Sequence, residues 1–123
     1  MSAGRYDLKI EQGATFTRKF LIKNLDTPVD LTGQTFRGSI RKTASSANII
    51  ETFTMNVKDQ VTNTGEFEIS LTATQTSGIP VNKSKTAERE ITSYAYDIER
   101  EFSDGRVERV LEGLANVSPE VTR

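Results

Sequence analysis

Short runs in which apolar and polar side chains alternate, separated by turn-forming residues, fill most of this chain of 123 residues. In the clearest run, Tyr94, Tyr96 and Ile98 alternate with small or polar residues, the period-two pattern of a half-buried β-strand. Asp104-Gly105 follows this run, and such a pair tolerates the positive φ angles of a tight hairpin. Because alternation resumes at Val107, the sequence predicts a β-hairpin around which the other strands are arranged.

The same alternation predicts further short strands in the N-terminal two thirds of the chain. Thr72 to Gln75 matches a helix capping box, so one helical turn is expected from about Ala73 to Ser77, ending at Gly78. About seven strands and one helical turn, with no shift in composition, predict a single all-β domain over residues 1–123, an antiparallel β-sandwich. The apolar positions of the earlier strands fall within residues 6–10, 15–23, 36–40, 53–57 and 67–71.

Strict alternation within each strand also predicts the core of the domain. Arg18 interrupts the apolar face of its strand, which indicates a position at a sheet edge or at a subunit contact. Gly38 lies where a neighbouring chain segment is expected to approach closely. The predicted core consists of Tyr6, Leu8, Phe16, Phe20, Ile22, Phe36, Ile40, Phe53, Phe67, Ile69, Leu71, Tyr96, Ile98, Val107 and Leu111.

Composition excludes several classes of function. The chain has no Cys and no His, so it has no thiolate nucleophile, no imidazole base and no metal site built from these ligands. Its net charge is −1 and its basic residues are interleaved with acids, so neither nucleic acid nor a membrane surface is an expected partner. No apolar run approaches the roughly 20 residues that span a bilayer. No cofactor motif is present, and we expect no enzyme activity.

Three groups of residues fit either a structural role or a site for catalysis or ligand binding. Asp97, Glu99 and Glu108 are expected to lie on one strand face, as a hydrolytic carboxylate pair would, or else as an exposed face neutralised by neighbouring arginines. Asp26 and Asp30 flank Pro28 and are candidate calcium ligands together with backbone carbonyls, but an ordinary calcium loop has more closely spaced ligands. The neutralising arginines would be Arg100, Arg106 and Arg109.

The pair Tyr94 and Tyr96 fits either a stacking platform for bases or sugars or, more simply, packing in the core. Asn82 to Ser84 matches a glycosylation acceptor, but no signal sequence precedes it.

Seven short motifs occur in a fixed order along the chain: Ile10–Phe16, Val29–Gly33, Phe36–Arg41, Leu71–Thr76, Tyr96–Glu99, Asp104-Gly105 and Val117–Arg123. This ordered set resembles small immunoglobulin-like virion proteins of tailed bacteriophages, including proteins of the tail tip and the N-terminal domain of upper baseplate proteins. The resemblance implies an immunoglobulin-like β-sandwich without catalytic residues, which binds other virion proteins and often assembles as a ring. A capsid decoration or cement protein, a neck or collar protein, and a carbohydrate-binding adhesion module are the alternatives.

If the protein functions by docking, its contacts are expected from segments too polar to be buried in its own core. These segments are the N-terminal arm Met1–Arg5, the loops Lys42–Asn48 and Val81–Glu90, and the tail Ser118–Arg123. Arg123 is suited to binding a carboxylate of a neighbouring chain. The expected interface residues are Arg5, Lys42, Ser45, Asn48, Lys83, Lys85, Glu120 and Arg123.

Overall fold

The computed structural model describes residues 4–81 and 91–120, and that part contains eleven strands and one short helix. The first six strands are β1 (Gly4–Arg5), β2 (Leu8–Glu11), β3 (Phe16–Leu21), β4 (Lys23–Asn24), β5 (Thr27–Pro28) and β6 (Thr35–Arg41). They are followed by β7 (Ile49–Thr52), β8 (Thr54–Val57), β9 (Glu66–Leu71), α1 (Ala73–Ser77), β10 (Thr92–Glu101) and β11 (Val107–Ser118).

These strands form an all-β sandwich. The larger sheet has the order β1-β11-β10-β6-β7, with β2 also paired to β11, and the smaller sheet has the order β3-β9-β8. Strands β4 and β5 form a separate two-stranded hairpin. The expected hairpin is confirmed, since β10 and β11 pair antiparallel from Thr92 opposite Val117 to Glu101 opposite Val107. Gly105 in its turn has a φ of +91°, as the Asp-Gly pair predicted.

The sandwich is not antiparallel throughout. Strands β1 and β2 both run parallel to β11, with Gly4 opposite Leu111 and Leu8 opposite Ala115. Between them the Tyr6 backbone lies close to Gly113, where an added Cβ would be 2.2 Å from the Tyr6 carbonyl oxygen. The absence of a side chain at Gly113 therefore allows the N-terminal edge strand to approach β11.

Alternation predicted a single strand within residues 53–57, but the structure has two strands, β7 and β8, between Ile49 and Val57. β7 pairs with β6 in the larger sheet, and β8 pairs with β9 in the smaller sheet. The chain passes from one sheet to the other at Phe53, which is buried between them. Alternation did not reveal β7 because Ile49 and Ile50 are adjacent apolar residues, with Ile49 half exposed.

Most of the predicted core is confirmed, and it lies between the two sheets. Phe20, Ile22 and Leu111 are only partly buried at its margin. The prediction is wrong for Tyr6, which is 37 % exposed, and for Val107, which is 45 % exposed. The buried residues outside the predicted core set are Ile10, Leu31, Ile79, Tyr94, Ala115 and Val117, although packing in the core was already the simpler interpretation of Tyr94.

A bulge accounts for the exposure of Val107. Ile98 lies opposite Leu111, but Glu99 lies opposite Arg109, so β11 has one extra residue at Val110. An extra residue exchanges the two faces of a strand from that point onward. Val107 therefore lies on the outer face of the sheet.

The short helix α1 joins β9 to the segment before β10, and its predicted capping box is present. The Thr72 hydroxyl accepts from the Gln75 amide and the Gln75 side chain accepts from the Thr72 amide. Thr76 is fully buried, and its hydroxyl donates to the Ala14 carbonyl and accepts from the Gly13 amide. These bonds hold the turn between β2 and β3 against the helix.

We expect Leu25→Asn to stabilise the domain by about 1 kcal/mol, because leucine in the left-handed region is strained and asparagine is not. Leu25 is at the tip of the β4–β5 hairpin with a φ of +57°, and its side chain is 92 % exposed, so no packing is lost. Urea denaturation measures the change. Val61→Asn is the control, since Val61 is 91 % exposed without a positive φ. An unchanged or lower stability of Leu25→Asn would show that the turn is not strained.

Candidate docking surface

Strand β3 is an edge of the smaller sheet. Within residues 4–81 and 91–120 it pairs with β9 alone, as the interruption by Arg18 predicted. Phe16 and Phe20 face the core side, whereas Thr17, Arg18 and Lys19 are exposed. The chain therefore presents one side of this backbone, with a basic pair at its centre, on the surface of the domain.

A groove of about 420 Å³ separates this edge from strand β2 of the larger sheet. Leu8 and Phe16 form its buried apolar wall. Tyr6, at one end, makes a T-shaped contact with Phe20 at 5.7 Å between ring centroids. The Arg18 guanidinium lies 4.9 Å from the centroid of the Tyr6 ring, so a cation–π contact spans the groove.

The free positive charge at this surface lies along β3. Lys9, Arg18, Lys19 and Lys23 are the four basic residues from Leu8 to Asn24, and none of them forms a salt bridge with another residue of the ranges 4–81 and 91–120. The groove itself is also lined by the acidic residues Asp7 and Glu11, whereas β3 contains no acidic residue. Elsewhere in the described part most arginines are paired, for example Arg37 with Glu99 at 3.0 Å. We call the free edge of β3 with these four cations the β3 edge.

A second groove, of about 290 Å³, lies on the outer face of the larger sheet and is lined by Arg5 and Ala44 among others. Three of its charged residues, Asp97, Arg109 and Glu112, are paired with one another. Arg109 contacts Asp97 at 3.3 Å and Glu112 at 3.8 Å. Burial raises the pKa of Asp97 despite the opposing effect of Arg109. This groove therefore offers fewer free charges to a partner than the β3 edge.

The expected carboxylate cluster is not formed. Asp97 and Glu99 lie on the outer face and pair with Arg109 and Arg37, respectively. The bulge at Val110 turns Glu108 to the inner face, where it pairs with Arg100 at 3.2 Å. Arg100 and Arg106 thus do not neutralise the outer face; Arg106 pairs with Asp104 in the hairpin turn. A hydrolytic pair that includes Glu108 is ruled out by this geometry.

The calcium hypothesis for Asp26 and Asp30 gains no support from the geometry. The Asp30 carboxylate accepts hydrogen bonds from the hydroxyl and amide of Thr32, which lower its pKa. No group of three or more acidic residues in the described part of the chain is placed to hold a metal ion.

The expected interface residues do not converge on one surface. Arg5 pairs with Asp7 at 3.6 Å beside the outer-face groove. Lys42, Ser45 and Asn48 are exposed in a loop held by hydrogen bonds from Arg41 to the carbonyls of residues 46 and 47. Glu120 lines a separate hollow of about 420 Å³ beside α1. Lys83, Lys85, Arg123 and the glycosylation motif Asn82–Ser84 lie outside the described residues.

Tyr94 and Tyr96 belong to the core and do not form a platform for ligands. They are 7 % and 4 % exposed, and their hydroxyls donate to the carbonyls of Pro80 and Tyr6. Tyr96 also makes an edge contact with Phe53 at 6.1 Å between centroids. The two hydroxyls therefore join the core to the segments that cover it.

We expect the domain to lose stability as the pH rises above about 10, the ordinary tyrosine pKa. Burial raises the pKa of Tyr96 in the folded state, with a smaller contribution from the Asp7 carboxylate, and burial also raises the pKa of Tyr94. The neutral phenols are thus favoured by folding, so their contribution is complete below the unfolded pKa and is lost at higher pH. Urea denaturation at neutral and alkaline pH measures the loss, which Tyr96→Phe should reduce. An equal loss in that variant would assign the effect to other groups.

No protein-family model matches the chain, and no curated protein is significantly similar to it. Among the described residues, no helix is long and apolar enough to cross a membrane. The function is therefore inferred from the motifs and from the geometry given above.

Proposed function

We propose that this chain is a structural protein of a tailed-bacteriophage virion, which docks to other virion proteins in the tail tip or baseplate as part of a ring. The ordered motifs from Ile10–Phe16 to the C-terminal segment support the phage assignment. The all-β sandwich has the architecture that this resemblance implies. On this proposal the protein is assembled into particles in the host cytoplasm and takes part in no reaction.

The β3 edge is the observation that carries the docking role. An exposed strand edge presents unpaired backbone donors and acceptors, which a partner can satisfy. Arg18 and Lys19 lie at the centre of this edge and form no salt bridge with a carboxylate of the described residues. By contrast, Asp97, Glu99 and Glu108, the carboxylates considered for catalysis, are each paired with arginine. The backbone groups and charged side chains that are free to bind a partner therefore lie on the β3 edge, a surface suited to binding another chain.

Mass spectrometry of purified particles of the phage that encodes the chain tests the virion role. We expect its peptides to remain with the particles through density-gradient purification. Native mass spectrometry of the isolated protein then tests for the ring. Absence of the chain from particles that contain the other structural proteins would contradict the proposal.

A further inference from the structure

Building on the docking role proposed above, we infer that the β3 edge binds an extended, acidic segment of a partner protein, which joins the smaller sheet as an additional strand. The inference identifies the partner chemistry that the proposed function leaves open. It rests on the geometry of the edge, on its charge and on the groove beside it.

The backbone of β3 is long and regular enough to act as a template. All six of its residues pair in unbroken register with β9, from Phe16 opposite Leu71 to Leu21 opposite Glu66. Six residues of strand extend over roughly 20 Å, enough for several hydrogen bonds to an added strand. The edge strands β4, β5, β7 and β8 are less suitable. β8, at the opposite edge of the same sheet, has four residues, and β4 and β5 have two each. At β7, Gln75 donates to Glu51 and to the Thr52 carbonyl.

The cations of the edge favour an acidic occupant. Arg18 and Lys19 are adjacent in β3, so their side chains point to opposite faces of the sheet. Each would meet a carboxylate placed on the corresponding face of an added strand. Lys23 lies just beyond the end of β3, so the positive charge continues past Leu21. Across the groove, Lys9 of β2 is accompanied by Asp7 and Glu11, so the attraction for an acidic segment comes from the β3 side.

A second copy of the same strand is a poor occupant. In an antiparallel pairing of two β3 strands, a two-fold axis at Arg18 would place Arg18 opposite the Arg18 of the second copy, and an axis at Lys19 would place Lys19 opposite its own copy. Like charges directly opposite each other destabilise a strand pair. The charge pattern therefore disfavours self-association at this edge and favours a different, acidic chain.

Apolar contacts are available near the C-terminal end of the edge. Leu21 is 46 % exposed, and the ring of Tyr6, which contacts Phe20, is 37 % exposed beside the groove. An added strand with apolar residues next to its acidic ones would cover both side chains. The expected partner sequence is thus an extended stretch in which Asp or Glu residues have apolar neighbours.

Selection from a random-peptide display library on the immobilised full chain tests this inference. We expect the selected peptides to be enriched in Asp and Glu with apolar neighbours. The double variant Arg18→Glu/Lys19→Glu should weaken their binding by roughly tenfold, because two attractive contacts become repulsive. Arg106→Glu is the control, since Arg106 is also an exposed cation but lies in the β10–β11 turn of the other sheet. Peptide binding to this variant should be unchanged.

Hydrogen exchange with a selected peptide locates the binding site. The amides of residues 16–21 should become protected when the peptide is added. The milder variant Arg18→Gln/Lys19→Gln should also weaken binding, which keeps the test valid if the charge-reversed protein does not fold. A selection that yields no binders, no acidic enrichment, equal weakening by Arg106→Glu, or no protection of β3 would overturn the inference.

Failure of the inference is distinct from failure of the proposed function. If the chain is found in particles but no acidic peptide binds β3, the virion role stands and the partner chemistry is wrong. If acidic peptides bind β3 but the chain is absent from particles, the binding edge stands and the virion role is wrong.

Discussion

Replacing Phe67 by Ala is expected to lower the free energy of unfolding by roughly 3–5 kcal/mol. Phe67 is completely buried at the centre of the smaller sheet. Its ring stacks on Phe36 of the larger sheet at 4.5 Å and on Phe20 of β3 at 5.5 Å between centroids. Truncation would leave a cavity where the two sheets meet, and a loss of this size is a large part of the stability of an ordinary domain.

Urea denaturation of the wild-type protein and Phe67→Ala measures this loss. Val61→Ala is the control, because Val61 is 91 % exposed and its truncation should leave the midpoint almost unchanged. Similar small effects at both positions would show that the two sheets do not share a packed core at Phe67.

Glu108→Ala is expected to destabilise the domain by about 3 kcal/mol, the lower end of the range for breaking a buried ion pair. Arg100 is only 5 % exposed, and its Nη2 donates to the Glu108 carboxylate at 3.2 Å. Its other polar contact, from Nη1 to the Gln34 side chain, is long at 3.5 Å, and its Nε is buried without a hydrogen bond. Removal of Glu108 therefore leaves a buried charge compensated only by the long Gln34 contact and by the Phe102 ring, whose centroid is 4.7 Å from the guanidinium carbon. Because the Glu108 side chain is itself 27 % exposed, water offsets part of the loss.

The double variant Arg100→Met/Glu108→Leu tests whether the stability lost in Glu108→Ala comes from the unpaired charge of Arg100 or from lost side-chain contacts. Because it removes both charges, its stability should return to within about 1 kcal/mol of the wild type. Arg106→Ala is the surface control: its pair with Asp104 is exposed on both sides, so its effect should be below about 1 kcal/mol. If Glu108→Ala were no more harmful than Arg106→Ala, the buried pair would not be structurally important.

Local patterns predicted the parts of this fold that local physics determines. Alternation identified the β10–β11 hairpin, Asp104-Gly105 identified its turn, and the capping box identified α1. Each of these features depends on residues close together in the chain. The same pattern failed where one extra residue at Val110 exchanges the two faces of β11. Nothing in the local sequence marks that residue, because its position depends on the register with β10.

Features of the fold that depend on contacts between distant parts of the chain could not be predicted from the sequence either. The passage of the chain between sheets at Phe53 and the parallel pairing of β1 and β2 with β11 depend on tertiary contacts. The edge position of β3 was predicted, because Arg18 interrupts an otherwise apolar face. That its cations lack partners was not predictable, since a salt bridge depends on which strands become neighbours.

A cryo-electron microscopy map of the assembled particle tests the docking account most directly. We expect density for this sandwich in the tail tip or baseplate, with an extended segment of a neighbouring protein paired along residues 16–21. Carboxylates of that segment should lie beside Arg18 and Lys19. A map in which the sandwich is present but all its strand edges and loops face solvent would contradict the account.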